Sequence, residues 1–403
     1  MNTQVMSQMY KKRIPDDSND LSIALIICAG IICALHVGKA SIAIPQMHEL
    51  YHWSLSSLSW IMSVFSIVGM IGGIFLGSLV QKWGDKRLFC IGLAILAGGS
   101  LLGATTTNFS FLITTRVIEG LGFLLVLVSA PSMLNRLTPK SKYNIVFGFW
   151  SMFMGIGIAI SIFLGPFLNS WQSLWLINAG LTFFILFIII FKVPNTEINN
   201  SNFAKNISLK KDILKVFKSR NPFLLAISFA AYNIIFFSVF TFLPLFLINR
   251  MGISASQSGV VCGAVILSSI VGNIGSSILL NRDIEAKKII IFSNIFIGVL
   301  GIGIFLPFTP NILAILLCFL FSIISGLIPA TIVSLAPLSS PDKNLISLCI
   351  GLVMQGNYLG LVIGPLAIGL AISFSGWTAA IIPVVIFAII GSLSSLLLKL
   401  KKE

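Results

Sequence analysis

Charge is scarce in this chain. Asp, Glu, Lys and Arg make up 9% of its 403 residues, where a soluble protein keeps about a quarter. That shortage excludes an ordinary soluble domain. Acid is scarcer than base: 12 Asp and Glu stand against 26 Lys and Arg, a net charge of +14. Such a balance would suit a nucleic-acid binder. However, the basic residues are not interleaved with exposed aromatics but sit between apolar runs, which argues against nucleic acid as a partner. The six cysteines, Cys28, Cys33, Cys90, Cys262, Cys318 and Cys349, fall in or beside apolar segments and form no Cys-x-x-Cys pair. A disulfide frame and a cysteine metal site are therefore not indicated. The sequence carries no phosphate loop, Walker pattern, catalytic triad or metal-ligand cluster. No cofactor, no metal and no enzymatic activity are expected.

What the chain does have is apolar length. Hydrophobic residues make up 57% of it, and its mean hydropathy is +1.02. A helix needs roughly 20 apolar residues to cross about 30 Å of hydrocarbon. On that measure spans are predicted near 21–44, 58–81, 88–106, 111–135, 143–168 and 173–193, then 222–248, 256–280, 288–307, 311–335, 346–372 and 376–398. The first run ends without a small-residue cleavage site, so it reads as a retained span and not a signal peptide. Residues 45–57, with His48 and His52, read as a solvated loop. Every Lys and Arg except Lys39, Arg116 and Arg250 falls on one side of this topology. Lys and Arg collect on the cytoplasmic face, so both termini are expected there. The protein is expected in the inner (plasma) membrane, in contact with its lipids.

Gly77-Ser-Leu-Val-Gln-Lys-Trp-Gly-Asp-Lys-Arg87 is a short basic turn between two apolar runs. The pattern Gly-x-Leu-x-x-x-x-Gly-x-Lys-Arg resembles the loop between helices 2 and 3 of the major facilitator superfamily. Members of that family are two-bundle secondary transporters. The resemblance implies an all-α integral membrane fold of about 12 transmembrane helices in two six-helix bundles; a monomer is expected. It implies gating roles for Gly77, Gly84, Asp85 and Arg87, with Asp85 and Arg87 helping to latch the bundles at the inner face. Gln81 stands where the family usually has Asp, which predicts a weaker latch. Arg116-Val-Ile-Glu-Gly-Leu-Gly122 resembles the superfamily's fourth-helix motif and implies a part for Arg116 in proton transfer. Leu35-His-Val-Gly-Lys-Ala-Ser-Ile-Ala-Ile-Pro45 resembles the first-helix pattern of drug/proton antiporters, with His36 at the acidic position and Lys39 as an extra charge. Span five departs from the antiporter signature, because Gly155–Ser161 carries no proline; Gly-x-x-x-Gly-Pro occurs instead at Gly360–Pro365 in span eleven.

Residues 194–221 are polar, then basic with helical spacing at Lys211, Lys215 and Lys218. They read as a cytoplasmic linker carrying an interfacial amphipathic helix. The expected division is a tail at 1–20, a six-helix bundle at 21–193, the linker at 194–221, a second bundle at 222–398 and a tail at 399–403. Trp171 after span five and Trp377 after span eleven form a weak internal echo. It suits the parallel repeats that hold substrate between halves near mid-membrane. The turn at 280–288 occupies the slot equivalent to the Gly77–Arg87 motif in degenerate form.

With charge so scarce, an ionisable residue within a span is informative. Each costs about 2.5–3.5 kcal/mol at mid-bilayer and so faces an interior or a cavity. Four qualify: His36 and Lys39 in span one, Arg116 and Glu119 in span four. Each pair has i, i+3 spacing, which places both members on one helix face. Structural readings stand beside the functional one: an internal Arg116–Glu119 ion pair, a satisfied core histidine at His36, a snorkelling Lys39. In the second half Asn233, Asn273, Asn294, Gln355, Asn357 and Tyr358 are polar groups that either line a cavity or bond between helices. Among these, Asn233, Gln355, Asn357 and Tyr358 are taken as substrate-binding candidates. The Phe-rich span seven (Phe229, Phe236, Phe237, Phe240, Phe242, Phe246) reads as packing or lipid-facing surface.

Three intramembrane bases, His36, Lys39 and Arg116, outnumber the single acid, Glu119. That balance makes a central cavity electropositive and points to a proton-coupled secondary transporter of a small organic anion working by alternating access. Arg grips a carboxylate bidentately and Lys supplies a point charge, with Glu119 as the proton carrier. Polycarboxylate metabolites, cyanate- or nitrate-like anions and carboxylate siderophores all fit. The runner-up is a drug/proton antiporter; a membrane sensor without transport is the reading from another class. The topology is testable with a cysteine engineered into 45–57. It should react with an impermeant thiol reagent from outside the cell, and labelling only from the cytoplasm would reverse the orientation.

Overall fold

The computed structural model of the protein describes residues 16–139, 142–194, 209–342 and 345–399, with side chains described there except at 16–19, 73–83, 143–145, 148, 151, 209–212, 346 and 347. Most of the expected N-terminal tail, residues 195–208 of the linker and residues 400–403 lie outside the described residues. The first half contains α1 (Asp16–Tyr51), α2 (Leu55–Trp83), α3 (Asp85–Ala104), α4 (Phe109–Leu137), α5 (Tyr143–Leu164) and α6 (Trp171–Lys192). The short α7 (Leu209–Lys218) follows. The second half contains α8 (Arg220–Met251), α9 (Ala255–Asn281), α10 (Ala286–Phe305), α11 (Asn311–Leu338), α12 (Ile346–Ser375) and α13 (Ile381–Leu396). Among the described residues, 11 helices are long and apolar enough to cross a membrane. The remaining predicted span is α5, with 22 residues or roughly 33 Å of helix.

Two predicted turns are much shorter than the sequence suggested. α1 has 36 residues and runs through Pro45 to Tyr51, so most of the expected 45–57 loop is helix. Proline removes one backbone donor and frees a carbonyl one turn back, but in a membrane bundle neighbouring helices absorb that defect. The connection is reduced to residues 52–54, with His52 at φ 54. His48 is not merely solvated: its Nδ1 bonds the Trp53 carbonyl at 2.7 Å and closes this turn. The Gly77–Arg87 turn likewise narrows to Gly84, because α2 continues to Trp83 and α3 begins at Asp85. Gly84 has φ 84, on the side of backbone space where a side chain is strained. In the second half the corresponding turn uses Asp283 at φ 57, a residue type that tolerates that region better than most.

The packing repeats between halves. In the first, α1 packs on α5 and α6, α2 on α4, and α3 on α4 and α6. In the second, α8 packs on α12 and α13, α9 on α11, and α10 on α11 and α13. The tryptophan echo is structural as well. Trp171 meets Tyr51 at the end of α1 with ring centroids 6.4 Å apart, and Trp377 meets Phe246 near the end of α8 at 5.1 Å. The halves meet through α2 on α12, α5 on α9, and α1 on α8. The Phe-rich α8 is core: Phe229, Phe237, Phe240, Phe242 and Phe246 are all buried. α7 docks on the second half, with Val216 buried among Ala226, Leu345, Cys349 and Leu352 and Lys215 3.7 Å from Asp342.

At the end carrying residues 52–54, the halves are packed together. A Cβ at Gly369 of α12 would lie 3.0 Å from the Leu55 carbonyl oxygen, and one at Gly259 of α9 would lie 2.7 Å from the Ile162 carbonyl oxygen. Overpacking such contacts costs about 1–3 kcal/mol, enough to move a two-state equilibrium about 5–150-fold. Gly259→Leu should therefore part this end while the protein stays monodisperse. In a cysteine-free background, a Ser66→Cys reporter should then react faster with an impermeant thiol reagent from that side; an unchanged rate would mean the two halves do not separate there.

Candidate functional site

The four ionisable residues singled out by scarcity converge in space. α1 supplies His36 and Lys39, α4 supplies Arg116 and Glu119, and all four are fully buried. Their meeting point is a single carboxylate oxygen, Glu119 Oε2. It lies 2.8 Å from Lys39 Nζ, 2.7 Å from Arg116 Nη1 and 3.3 Å from His36 Nδ1. Lys39 Nζ also lies 3.2 Å from His36 Nδ1 and 4.5 Å from the Trp175 ring centroid. The Arg116 guanidinium stacks 4.4 Å from the centroid of Phe65. Cations over aromatic faces gain attraction that grows as water is excluded.

Surrounding polar groups hold these side chains in place. Lys39 Nζ donates to Ser100 Oγ at 2.7 Å, and Ser100 passes its own proton to the Trp175 carbonyl at 2.7 Å. His36 Nε2 lies 2.8 Å from Thr182 Oγ1, whose hydroxyl donates to the Asn178 carbonyl at 2.7 Å. Arg116 donates from Nε to the Ile61 carbonyl and from Nη1 to the His36 carbonyl, both at 3.0 Å. Glycine sets the helix spacing. A Cβ on Gly120 would overlap the Phe65 carbonyl, and one on Gly99 would lie 3.0 Å from Glu119 Cγ. Glu119 Oε1 and Trp175 Nε1 are buried without a hydrogen-bond partner among the described residues.

Beside this cluster, between the halves, is a narrow cavity with room for about one water, lined by Val37, Met62, Phe65, Ser66, Arg116, Phe237 and Leu361. Arg116 is the charged group in that wall. Its Nη2 makes no hydrogen bond among the described residues, whereas Nε and Nη1 are fully engaged. Five of its seven lining residues are apolar, and Ser66 and one guanidinium edge supply its polar face.

The second-half candidates separate. Asn233 donates from Nδ2 to Asn357 Oδ1 at 2.9 Å and to the Phe229 carbonyl at 3.0 Å. That bond ties α8 to α12. Tyr358 lies with its ring against Gly69 of α2, across the boundary between halves. Gln355 is partly buried on α12. Asn273 and Asn294 donate to carbonyls on their own helices. At the turn, Asp85 is buried and paired with Arg136 of α4, in its own bundle, and Arg87 is exposed. Gly77, Gln81 and Lys82 belong to the part of α2 without described side chains. Ser100, Trp175, Thr182, Ser66 and Phe237 were not anticipated as site residues. Ser, Thr and Phe are ordinary in membrane helices, so scarcity gives no signal for them; Trp175, one of seven tryptophans, carries no charge to mark it as a site residue.

A bundle of this kind, with an ionic cluster beside a cavity between two repeated six-helix halves, is a membrane transporter and not an enzyme. Residues 26–345 match the profile of the Major Facilitator Superfamily, and the chain belongs to that family. It is 22% identical to the uncharacterized MFS-type transporter YvkA of Bacillus subtilis (strain 168), over 94% of this chain and 95% of that one. It is 28% identical to the methylenomycin A resistance protein of the same organism, over 40% of this chain and 36% of that one. The fold matches a bacterial homolog of the human lysosomal transporter Spinster, crystallised inward-facing and occupied, with a TM-score of 0.77. That match has 12% identity and covers 94% of this chain and 96% of that one.

Removing one partner from a buried ionic group costs about 3–5 kcal/mol, because it strands the charge left behind. Glu119→Ala strands two cations and should lower Tm by several degrees. Glu119→Ala combined with Lys39→Met strands only one. The double variant should therefore melt higher than Glu119→Ala alone; additive losses would show that the cluster does not act as a unit.

Proposed function

We propose that the protein is a proton-coupled secondary transporter that moves a small organic anion by alternating access. Arg116 carries this reading. It is the cation in the cavity wall, and its Nη2 makes no hydrogen bond among the described residues. A carboxylate is the group a guanidinium edge recognises best. Lys39 and Arg116 against Glu119 leave the cluster with net positive charge, which an anion in the cavity offsets. Of the other wall residues, Val37, Met62, Phe65, Phe237 and Leu361 are apolar and Ser66 brings a hydroxyl. Once the halves part and widen the site, these walls suit an apolar body behind a single acidic group better than a polycarboxylate. Lys39, enclosed against Glu119, supports the positive field from behind Arg116.

The termini and linker belong to the cytoplasmic side in this proposal, and the end packed through Gly259 and Gly369 belongs to the outside. When the transporter opens outward, Asp85 and Arg87 help close the linker end. Drug export is the second reading, favoured by the similarity to a protein named for methylenomycin A resistance and by the apolar cavity walls.

A thermal-shift screen of purified protein separates the two. Ligands that bind the folded state stabilise it by mass action, about 2.7 kcal/mol at 100 times Kd. Benzoate and benzenesulfonate should raise Tm, citrate should do so less, and a lipophilic cation such as tetraphenylphosphonium should not. Arg116→Lys should abolish the anion effect, because the planar fork is lost. Stabilisation by the cation alone would replace the anion reading with drug export.

A further inference from the structure

The proposed coupling proton needs an atom, and the hydrogen-bond network narrows the choice. The Thr182 hydroxyl spends its proton on the Asn178 carbonyl, so at His36 it accepts, and His36 Nε2 carries hydrogen. That leaves Nδ1 as the ring atom able to gain or lose a proton. Nδ1 stands between two opposite partners, Lys39 Nζ at 3.2 Å and Glu119 Oε2 at 3.3 Å. The charged groups facing His36 are Lys39 on its own helix and Arg116 and Glu119 on α4. α3 and α6 contribute Ser100 and Thr182, which do not titrate. Among the described residues, α2, α5 and α8 bring no buried charge to it.

We infer that the coupling proton is taken up at Nδ1 of His36 while Glu119 stays ionised. This inference rests on the anion-transporter reading above and deepens it. In the unloaded state Nδ1 accepts a hydrogen bond from the Lys39 ammonium. Loading adds one proton from bulk water and forms one N–H bond at Nδ1. The imidazolium then donates to Glu119 Oε2, while Lys39 keeps its bonds to Ser100 and Glu119. Unloading reverses each step.

Protonating Glu119 instead would give the same net charge in a worse arrangement. Lys39 and Arg116 would then lie close together with no anion between them, which the low-dielectric interior penalises. With the proton on His36, one carboxylate still bridges three cations. Loading leaves three positive groups around a single negative one, so the loaded cluster holds an anion at Arg116 more tightly. By reciprocity the anion favours the proton, and the two cross the membrane together.

Ring 15N NMR of histidine-labelled protein in nanodiscs reads this directly, because the two nitrogens report tautomer and protonation separately. His48→Gln/His52→Gln leaves His36 as the one histidine; if that variant misfolds, the His36 signal is the one missing from His36→Gln. At alkaline pH the ring should be neutral with hydrogen on Nε2, and acidification should convert it to imidazolium. At the midpoint pH, benzenesulfonate should raise the imidazolium-to-neutral ratio about fivefold or more. A neutral ring with hydrogen on Nδ1, or a ring that stays neutral down to the pH of unfolding, overturns the assignment even if anions bind. A titrating ring indifferent to benzenesulfonate overturns the shared passage of proton and anion.

Discussion

One carboxylate oxygen holds the middle of the first bundle together. Glu119 Oε2 is shared by Lys39, Arg116 and His36, and the helices carrying them, α1 and α4, are fixed against α3 and α6 through Ser100 and Thr182. Burying this much charge in a membrane protein is expensive. It is tolerable because almost every donor has an acceptor and the cations also lie on aromatic faces. The arrangement is frugal in acid: Lys39 and Arg116 share one carboxylate, and in the proposed mechanism that imbalance attracts an anion to the neighbouring cavity.

The ionic cluster lies wholly within the first half, whereas the cavity wall draws on both. Phe237 and Leu361 contribute shape from the second half. In the proposed mechanism the ionic half reads charge and the apolar half reads bulk. Tyr358 packed on Gly69, like Gly259 and Gly369 at the end carrying 52–54, shows how closely glycine lets the halves approach. Among the described residues, these contacts between glycine surfaces and single side chains include no salt bridge. They suit surfaces that must part and meet again.

Much of the fold was legible because membrane helices are written in apolar length. Turns were less legible. Polar residues around Pro45 imitate a loop, yet α1 runs through them, because proline breaks a helix less readily where neighbouring helices satisfy the freed carbonyl. The ionic residues were legible through rarity, and i, i+3 spacing correctly put each pair on one face. Their shared oxygen was not, since nothing in local spacing states that α1 and α4 cross at that height. Ser100 and Thr182 escaped for the opposite reason to the charges, because Ser and Thr are too common to stand out, and Trp175 escaped because an uncharged ring reads as packing. The sequence reading assigned the proton to Glu119 as the only intramembrane acid. In the structure Glu119 is surrounded by three nitrogens, which is the ground for proposing His36, whose Nδ1 lies between acid and base.

The most direct test of the account is the proton movement that accompanies an anion gradient. Purified protein would be reconstituted in vesicles containing a pH-sensitive dye, and benzenesulfonate, which does not cross lipid as a neutral acid, added outside. Shared passage predicts that the lumen acidifies as the anion enters, and that His36→Gln vesicles show no such change. Alkalinisation of the lumen, or acidification that persists in His36→Gln, would contradict it.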